Sequence, residues 1–406
     1  MIGDRSNPIA FCVFSHNITG TTNVIWTKGG FIVKRIILSA LFVCTSVFAG
    51  SDPEKDFVLI PANPDFAFAR DLRSRGPRGN AGEKSPIAKT YRLAKYPVTN
   101  AEYAEFCKET GHRSPRYWRD GKFPEGKGRH PVLEVSVYDA EAYCRYLEKK
   151  YPKWKFRLPT EAEWENAAAG PKHHAFPWGD SDRVSMSGGV ISSQFNFNAV
   201  VASHYLSKSP DMKVTFFHQR STRQGESVEL RDLISVNERG QVRGWINHRD
   251  YTGFVYTDLF RKLSAEGGYT TAVDYYPEGV SPYGCFDMAG NSWDWTCSGI
   301  TATNGAERGK SVYAIRGGSW YANKNSCRTN YRGEGRRGRG CYTTVGFRLV
   351  AVPADAADVN LAGQKQPPRD SESNGPGPRR GGPPPRREGP PPRRSGPRRG
   401  NGDQPR

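Results

Sequence analysis

Arg157-Leu-Pro-Thr-Glu-Ala-Glu-Trp-Glu165 reads as the end of a strand running into a capped helix, and the fold can be read outward from it. Pro159 suits a first helical turn, because the N–H it lacks would have no intrahelical partner there. Thr160 and Glu163 have capping-box spacing: the hydroxyl accepts from the backbone at Glu163, and the carboxylate reaches back to the cap. Trp164 is then the aromatic for a core, and Gly170 stops the helix. Two further helices carry start signals. Thr99-Asn-Ala-Glu102 is a second capping box, leading through Tyr103, Phe106 and Cys107 to a Gly111 stop. Ser136-Val-Tyr-Asp139 opens a helix bearing Ala142, Tyr143, Tyr146 and Leu147.

Outside these helices the chain is turn-rich, with short apolar strands such as Phe57-Val-Leu-Ile60 and Val345-Gly-Phe-Arg-Leu-Val350. Few long periodic segments exist, so the expected class is α+β with much irregular structure. The predicted domain spans 53–353, with a charged, weakly patterned insertion at about 203–263.

Residues 1–49 read as an N-terminal extension plus a signal peptide. Lys34 and Arg35 precede an apolar run too short to span a bilayer, and Val47 and Ala49 supply a cleavage pattern. The mixed residues before it suggest a true start near Val33. Bulky Val43 argues against a lipoprotein signal at Cys44. Cleavage after Ala49 implies an exported protein (periplasmic, cell-surface or secreted) with no membrane span. It leaves Cys107, Cys144, Cys285, Cys297, Cys327 and Cys341, an even set that fits disulfides in an oxidising compartment. Fifteen connectivities exist; Cys107 with Cys144 and Cys327 with Cys341 are two pairings to test. No C-x-x-C or zinc spacing occurs.

The formal net charge is +18, of which the stretch from Gly363 to Arg406 supplies +7. Its Pro-Arg-Arg units recur every seven residues from Pro378, and the tail 354–406 is expected to be extended and disordered. Such a tail attracts anionic polymers. With no aromatic side chain among its arginines, no specific nucleic-acid partner is expected.

The chain also carries Tyr96-Pro-Val-Thr-Asn-Ala-Glu-Tyr103, His130-Pro-Val132, Phe176-Pro-Trp-Gly179, Tyr283-Gly284, Asp287-Met-Ala-Gly-Asn-Ser-Trp-Asp-Trp295, Arg316-Gly-Gly-Ser-Trp320 and Val345-Gly-Phe-Arg348. With the opening stretch and Phe57-Val-Leu-Ile-Pro-Ala62, this ordered series resembles the formylglycine-generating enzyme (sulfatase-modifying factor) family from about Asp56 to Val352. The resemblance implies a variant of the C-type-lectin-like fold. It also implies a structural calcium bound by backbone oxygens of Asp287, Gly290 and Ser292 and the carboxylate of Asp294. A second calcium position near Asn196 and Ala265-Glu266 matches poorly, since Ala265 falls where a carboxylate is expected.

In active members of that family two cysteines after Gly-Gly-Ser bind copper(I) as thiolates. Here Ser319 and Cys327 align as catalytic candidates, but the partner position is Ala322, which cannot ligate a metal. Copper is therefore not expected. The favoured function is a non-catalytic binding or scaffold member for a protein or carbohydrate outside the cytoplasm. An active oxidase on sulfatase cysteines, or another oxidation on the same scaffold, remains as the alternative.

Overall fold

The computed structural model describes residues 52–69, 82–187, 190–218, 224–230, 235–236, 242–244, 254–303 and 307–362. The signal-like segment and the Pro/Arg repeats lie outside them. Along the chain come β1 (Phe57–Ile60), β2 (Tyr91–Ala94), α1 (Asn100–Thr110), α2 (Val137–Lys150), β3 (Trp154–Arg157) and α3 (Glu161–Ala169). Then follow β4 (Ser185–Ser187), β5 (Val190–Ser192), α4 (Asn198–Lys208), β6 (Lys213–His218), β7 (Gln224–Glu229), β8 (Ser235–Val236), β9 (Val242–Gly244), β10 (Phe254–Thr257) and α5 (Asp258–Ala265). The last strands are β11 (Trp293–Thr301), β12 (Ser311–Arg316), β13 (Gly335–Arg336), β14 (Val345–Gly346) and β15 (Val350–Pro353).

All three expected helices form, each with both halves of its capping box in place, at Thr99/Glu102, Ser136/Asp139 and Thr160/Glu163. Gly111 ends α1 in the left-handed region. The stretch expected as one strand from Val345 to Val350 is divided between two sheets. Val345 pairs in parallel with Trp293, whereas Val350 pairs antiparallel with Leu93 and Arg157. Arg348, between them, turns into the core with no exposed surface.

One sheet has the order β1-β2-β15-β3 and another the order β13-β12-β11-β14. Helix α3 packs against β11 and β12, and α2 against β3. The main core gathers Tyr103, Phe106, Tyr143, Trp295, Trp320 and Phe347, so the motif tryptophans 295 and 320 are core residues, as is Trp293. Within the stretch read as an insertion, α5 returns to the domain. The Phe260 ring stacks on Trp320 at 5.4 Å and lies 4.1 Å from Tyr321.

The folded part runs past residue 353, where the sequence had placed the start of the tail. Asp358 pairs with Arg157, and the Asn360 amide donates to the Lys89 carbonyl at 2.9 Å and to Glu163 at 3.2 Å. A composition-based boundary misses this, because two polar side chains do the anchoring. A chain ending at Pro353 should unfold about 4 °C below one ending at Gly363, from loss of roughly 2 kcal/mol of charge-assisted hydrogen bonding. Thermal melts followed by circular dichroism check this.

Candidate functional site

Two motifs meet because β11 and β12 pair in register, with Asp294 opposite Arg316. Arg316 is fully buried. It donates to Glu161 at 3.0 Å and Glu165 at 2.5 Å, both on α3, and to the Thr329 carbonyl. Burial opposes ionisation of Glu161, but Arg332 and Arg316 together hold it below the usual carboxylate range. Burial pushes Glu165 up, and Arg316 only partly offsets this.

Beyond Arg316 the chain turns through Gly317 (φ 98°) and Gly318 (φ 79°), a region open to glycine. A Cβ on Gly318 would lie 2.4 Å from the Cys327 sulfur, and one on Gly317 would press on Trp164 at 3.0 Å. The Gly-Gly pair therefore lets Cys327 fold back under the turn. The Gly290 N–H donates to the Gly317 carbonyl at 2.7 Å and joins this turn to the acidic one.

The structure brings the candidate residues Ser319, Ala322 and Cys327 into one short segment. Ser319 is buried, and its Oγ accepts from the Tyr321 N–H at 3.3 Å. The Ala322 N–H donates to the Ser319 carbonyl, and the Ala322 carbonyl accepts from Asn198 at the start of α4 at 3.0 Å. Cys327 has no exposed surface, and its thiol lies 3.5 Å from the Asn323 carbonyl as a donor. Burial raises its pKa well above the ordinary thiol value, although the N–H groups of Ser319 and Gly290 oppose this. Thiolate formation is thus disfavoured.

The expected disulfides are absent: the six cysteines from Cys107 to Cys341 are free thiols. The Cys341 sulfur accepts from Arg113 Nη2 at 3.4 Å near the start of α2, and Cys327 lies buried under the Gly-Gly turn. Cys107 contacts the Arg113 carbonyl at 3.6 Å, whereas Cys144 is buried. Two thiolates five positions apart are not available, so a copper(I) pair does not fit these residues.

The acidic turn brings Asp287, Gly290, Ser292 and Asp294 together, with Asp287, Gly290 and Asn291 all at positive φ. The residue that sequence reasoning missed here is Arg348. It donates through Nε to Asp294 Oδ2 at 2.5 Å and through Nη2 to the carbonyls of Phe286 (2.9 Å) and Asp287 (3.1 Å). Trp164 Nε1 also donates to Asp294 Oδ2, at 2.8 Å. Asp294 Oδ1 and Ser292 Oγ are left buried and without partners. Burial pushes Asp287 up to about 7, with Asn291 and Arg348 opposing. Two buried carboxylates facing one guanidinium, with an orphaned acid oxygen, fit a hard cation at Asp294. The Asp287 carbonyl is already engaged by Arg348. Among the described residues no group of three or more His, Cys, Asp or Glu side chains could hold a metal, so a cation here would depend on backbone oxygens.

The second calcium position does not fit. Lys127 Nζ donates to the carbonyls of Glu266 (2.8 Å) and Gly268 (2.5 Å), and the Asn196 amide donates to that of Tyr269 (2.6 Å). A resident ammonium takes the oxygens there.

A family model described as the sulfatase-modifying factor enzyme 1-like domain matches residues 49–215 and 240–352. Its gap falls inside the stretch 203–263 that was read as an insertion. The chain is 28% identical to the uncharacterized protein YfmG of Bacillus subtilis, over 51% of this chain and 33% of that protein. It is 31% identical to hercynine oxygenase of Mycolicibacterium smegmatis, over 23% of this chain and 27% of that one. The chain thus spans a third or less of these two relatives. It is 23% identical to the formylglycine-generating enzyme of Mycobacterium tuberculosis, over 67% of this chain and 92% of that enzyme.

Two outcomes test the site. Replacing Arg316 with Met should cost about 3–5 kcal/mol in urea denaturation, because it strands two buried carboxylates. In the native protein, iodoacetamide should modify half-exposed Cys107 and Cys341 well before buried Cys144, Cys285 and Cys327, as read by peptide mass mapping.

Proposed function

The chain belongs to the sulfatase-modifying factor enzyme 1-like domain family, and from that membership we propose that it is a non-catalytic member, an exported binding or scaffold module. The observation that carries this reading is the pair Ala322 and Cys327. The first has no metal-binding atom, and the second is a buried thiol donating to the Asn323 carbonyl. Copper-thiolate chemistry needs two accessible soft anions, and neither position offers one. The segment retains its shape because Gly317, Gly318 and Arg316 specify it independently of the missing cysteine. The domain is read as a variant of the C-type-lectin-like fold, with a protein or carbohydrate outside the cytoplasm as its ligand. No helix among the described residues is long and apolar enough to cross a membrane.

Structural calcium belongs to the same reading, held by Asp294 with the carbonyls of Gly290 and Ser292. What supports it is the unpartnered, buried Asp294 Oδ1 beside a second buried acid, Asp287. Millimolar calcium should raise the melting temperature by about 2 °C over a chelator control, the effect of roughly 1 kcal/mol of linked binding. Asp294→Asn should remove that increment, and equal melting with and without chelator would remove calcium from the account.

The decisive assay incubates the protein with copper(I), oxygen and a Cys-x-Pro-x-Arg peptide. The expected outcome is an unchanged peptide mass, and conversion of the cysteine to formylglycine sinks the non-catalytic reading.

A further inference from the structure

At one end of the domain, beside the largely buried pair Arg336 and Glu334 (16% and 10% exposed), two ion-paired acids carry more exposed cations. Arg113 is 57% exposed while its partner Asp139, at 2.7 Å, is 6% exposed. Arg337 (59%) and Lys310 (49%) share Glu307, which is 15% exposed. Elsewhere Arg129 with Asp274 and Lys150 with Glu105 expose both partners, and Lys324 with Asp182 reverses the order. Here the carboxylates face inward and the cations face water.

These cations are joined by local structure. Arg337 and Gly340 close a tight turn, with the Gly340 N–H donating to the Arg337 carbonyl at 2.9 Å. The next residue, Cys341, accepts from Arg113 at 3.4 Å, and Arg116 also acts electrostatically on this sulfur. The Val137 N–H donates to the Gly338 carbonyl at 3.1 Å and fixes the turn to the start of α2, two residues before Asp139. Exposed Arg308 and Arg339 flank Lys310 and Arg337 in sequence.

We propose that this end is a docking surface for a sulfated polysaccharide. A guanidinium fork matches a tetrahedral oxyanion through paired N–H donors; Arg113 gives Nε and Nη2 to Asp139, so most of the outward charge comes from exposed Arg116, Arg308, Arg337 and Arg339. With their acids turned inward, the outward donors generate a positive potential that a chain of closely spaced sulfates satisfies at several points. Of the aromatic rings at this end Tyr313 is buried, Tyr342 is half-buried under Arg336 at 5.6 Å, and Tyr138 is half-buried. A polymer recognised by its oxyanions needs no stacking platform, whereas single-stranded nucleic acid depends on one. The inference stands whether or not the domain is catalytic.

The test uses the full chain on immobilised heparin with a salt gradient. Three proteins are compared: wild type, Arg116→Glu with Arg337→Glu, and a control with Lys149→Glu and Lys172→Glu. The two variants have equal net charge and the same tail. The surface variant should elute at a salt concentration roughly 0.1 M below the control, the shift expected when several ion contacts are lost. Coincident elution overturns the proposal, because binding then follows net charge or the tail. If the charge reversals unfold the domain by circular dichroism, Arg116→Gln with Arg337→Gln replaces them and is judged against Lys149→Gln with Lys172→Gln by the same criterion. Soluble double-stranded DNA that displaces the protein from heparin as well as free heparin does, at equal charge concentration, also overturns it.

Discussion

A guanidinium with no access to water is stable only where anions and carbonyls replace its hydration, and Arg316 is placed in that way. Glu161 and Glu165 from α3 and the Thr329 carbonyl enclose it, and α3 is thereby tied to the last residue of β12. Its charge is costly to bury and more costly to strand, so the contact fixes register more than it adds net stability. Everything nearby follows from that register. Asp294 falls opposite Arg316, Arg348 reaches Asp294 from the segment between β14 and β15, and Trp164 donates to the same carboxylate. The Gly-Gly turn starts from a fixed point and closes over Cys327.

That arrangement explains how the fold holds with alanine at position 322. The motif residues divide into those that hold the framework, namely Arg157, Glu161, Glu163, Glu165, Asp294, Arg316 and Arg348, and those aligned with chemistry, namely Ser319, Ala322 and Cys327. The first group is joined by buried ion pairs. Substituting Ala322 disturbs none of them. Framework and candidate site therefore rest on different atoms of the same motifs.

Charge is used in two different ways. In the interior, acids and arginines alternate closely, and Lys127 or Arg348 supplies positive charge at carbonyls where a metal was expected. At the surface near Arg113 and Arg337, the acids are withdrawn and the cations presented. The first use organises the core; the second generates an external field.

Three helices with their capping boxes, the α+β class and the family membership were legible in the sequence, because capping and motif order depend on residues close along the chain. The alanine at position 322 was legible too, since it is a statement about composition alone. The sequence did not indicate that Val345 and Val350 belong to different sheets, that Asp358 and Asn360 hold the chain past residue 353, or that Arg348 takes oxygens assigned to calcium. Nor did it indicate that Cys327 and Cys341 are apart as free thiols. Each of these depends on which groups a long-range pairing brings within hydrogen-bond distance. A buried charge takes whatever partner the packed core presents, and only the tertiary structure sets that choice.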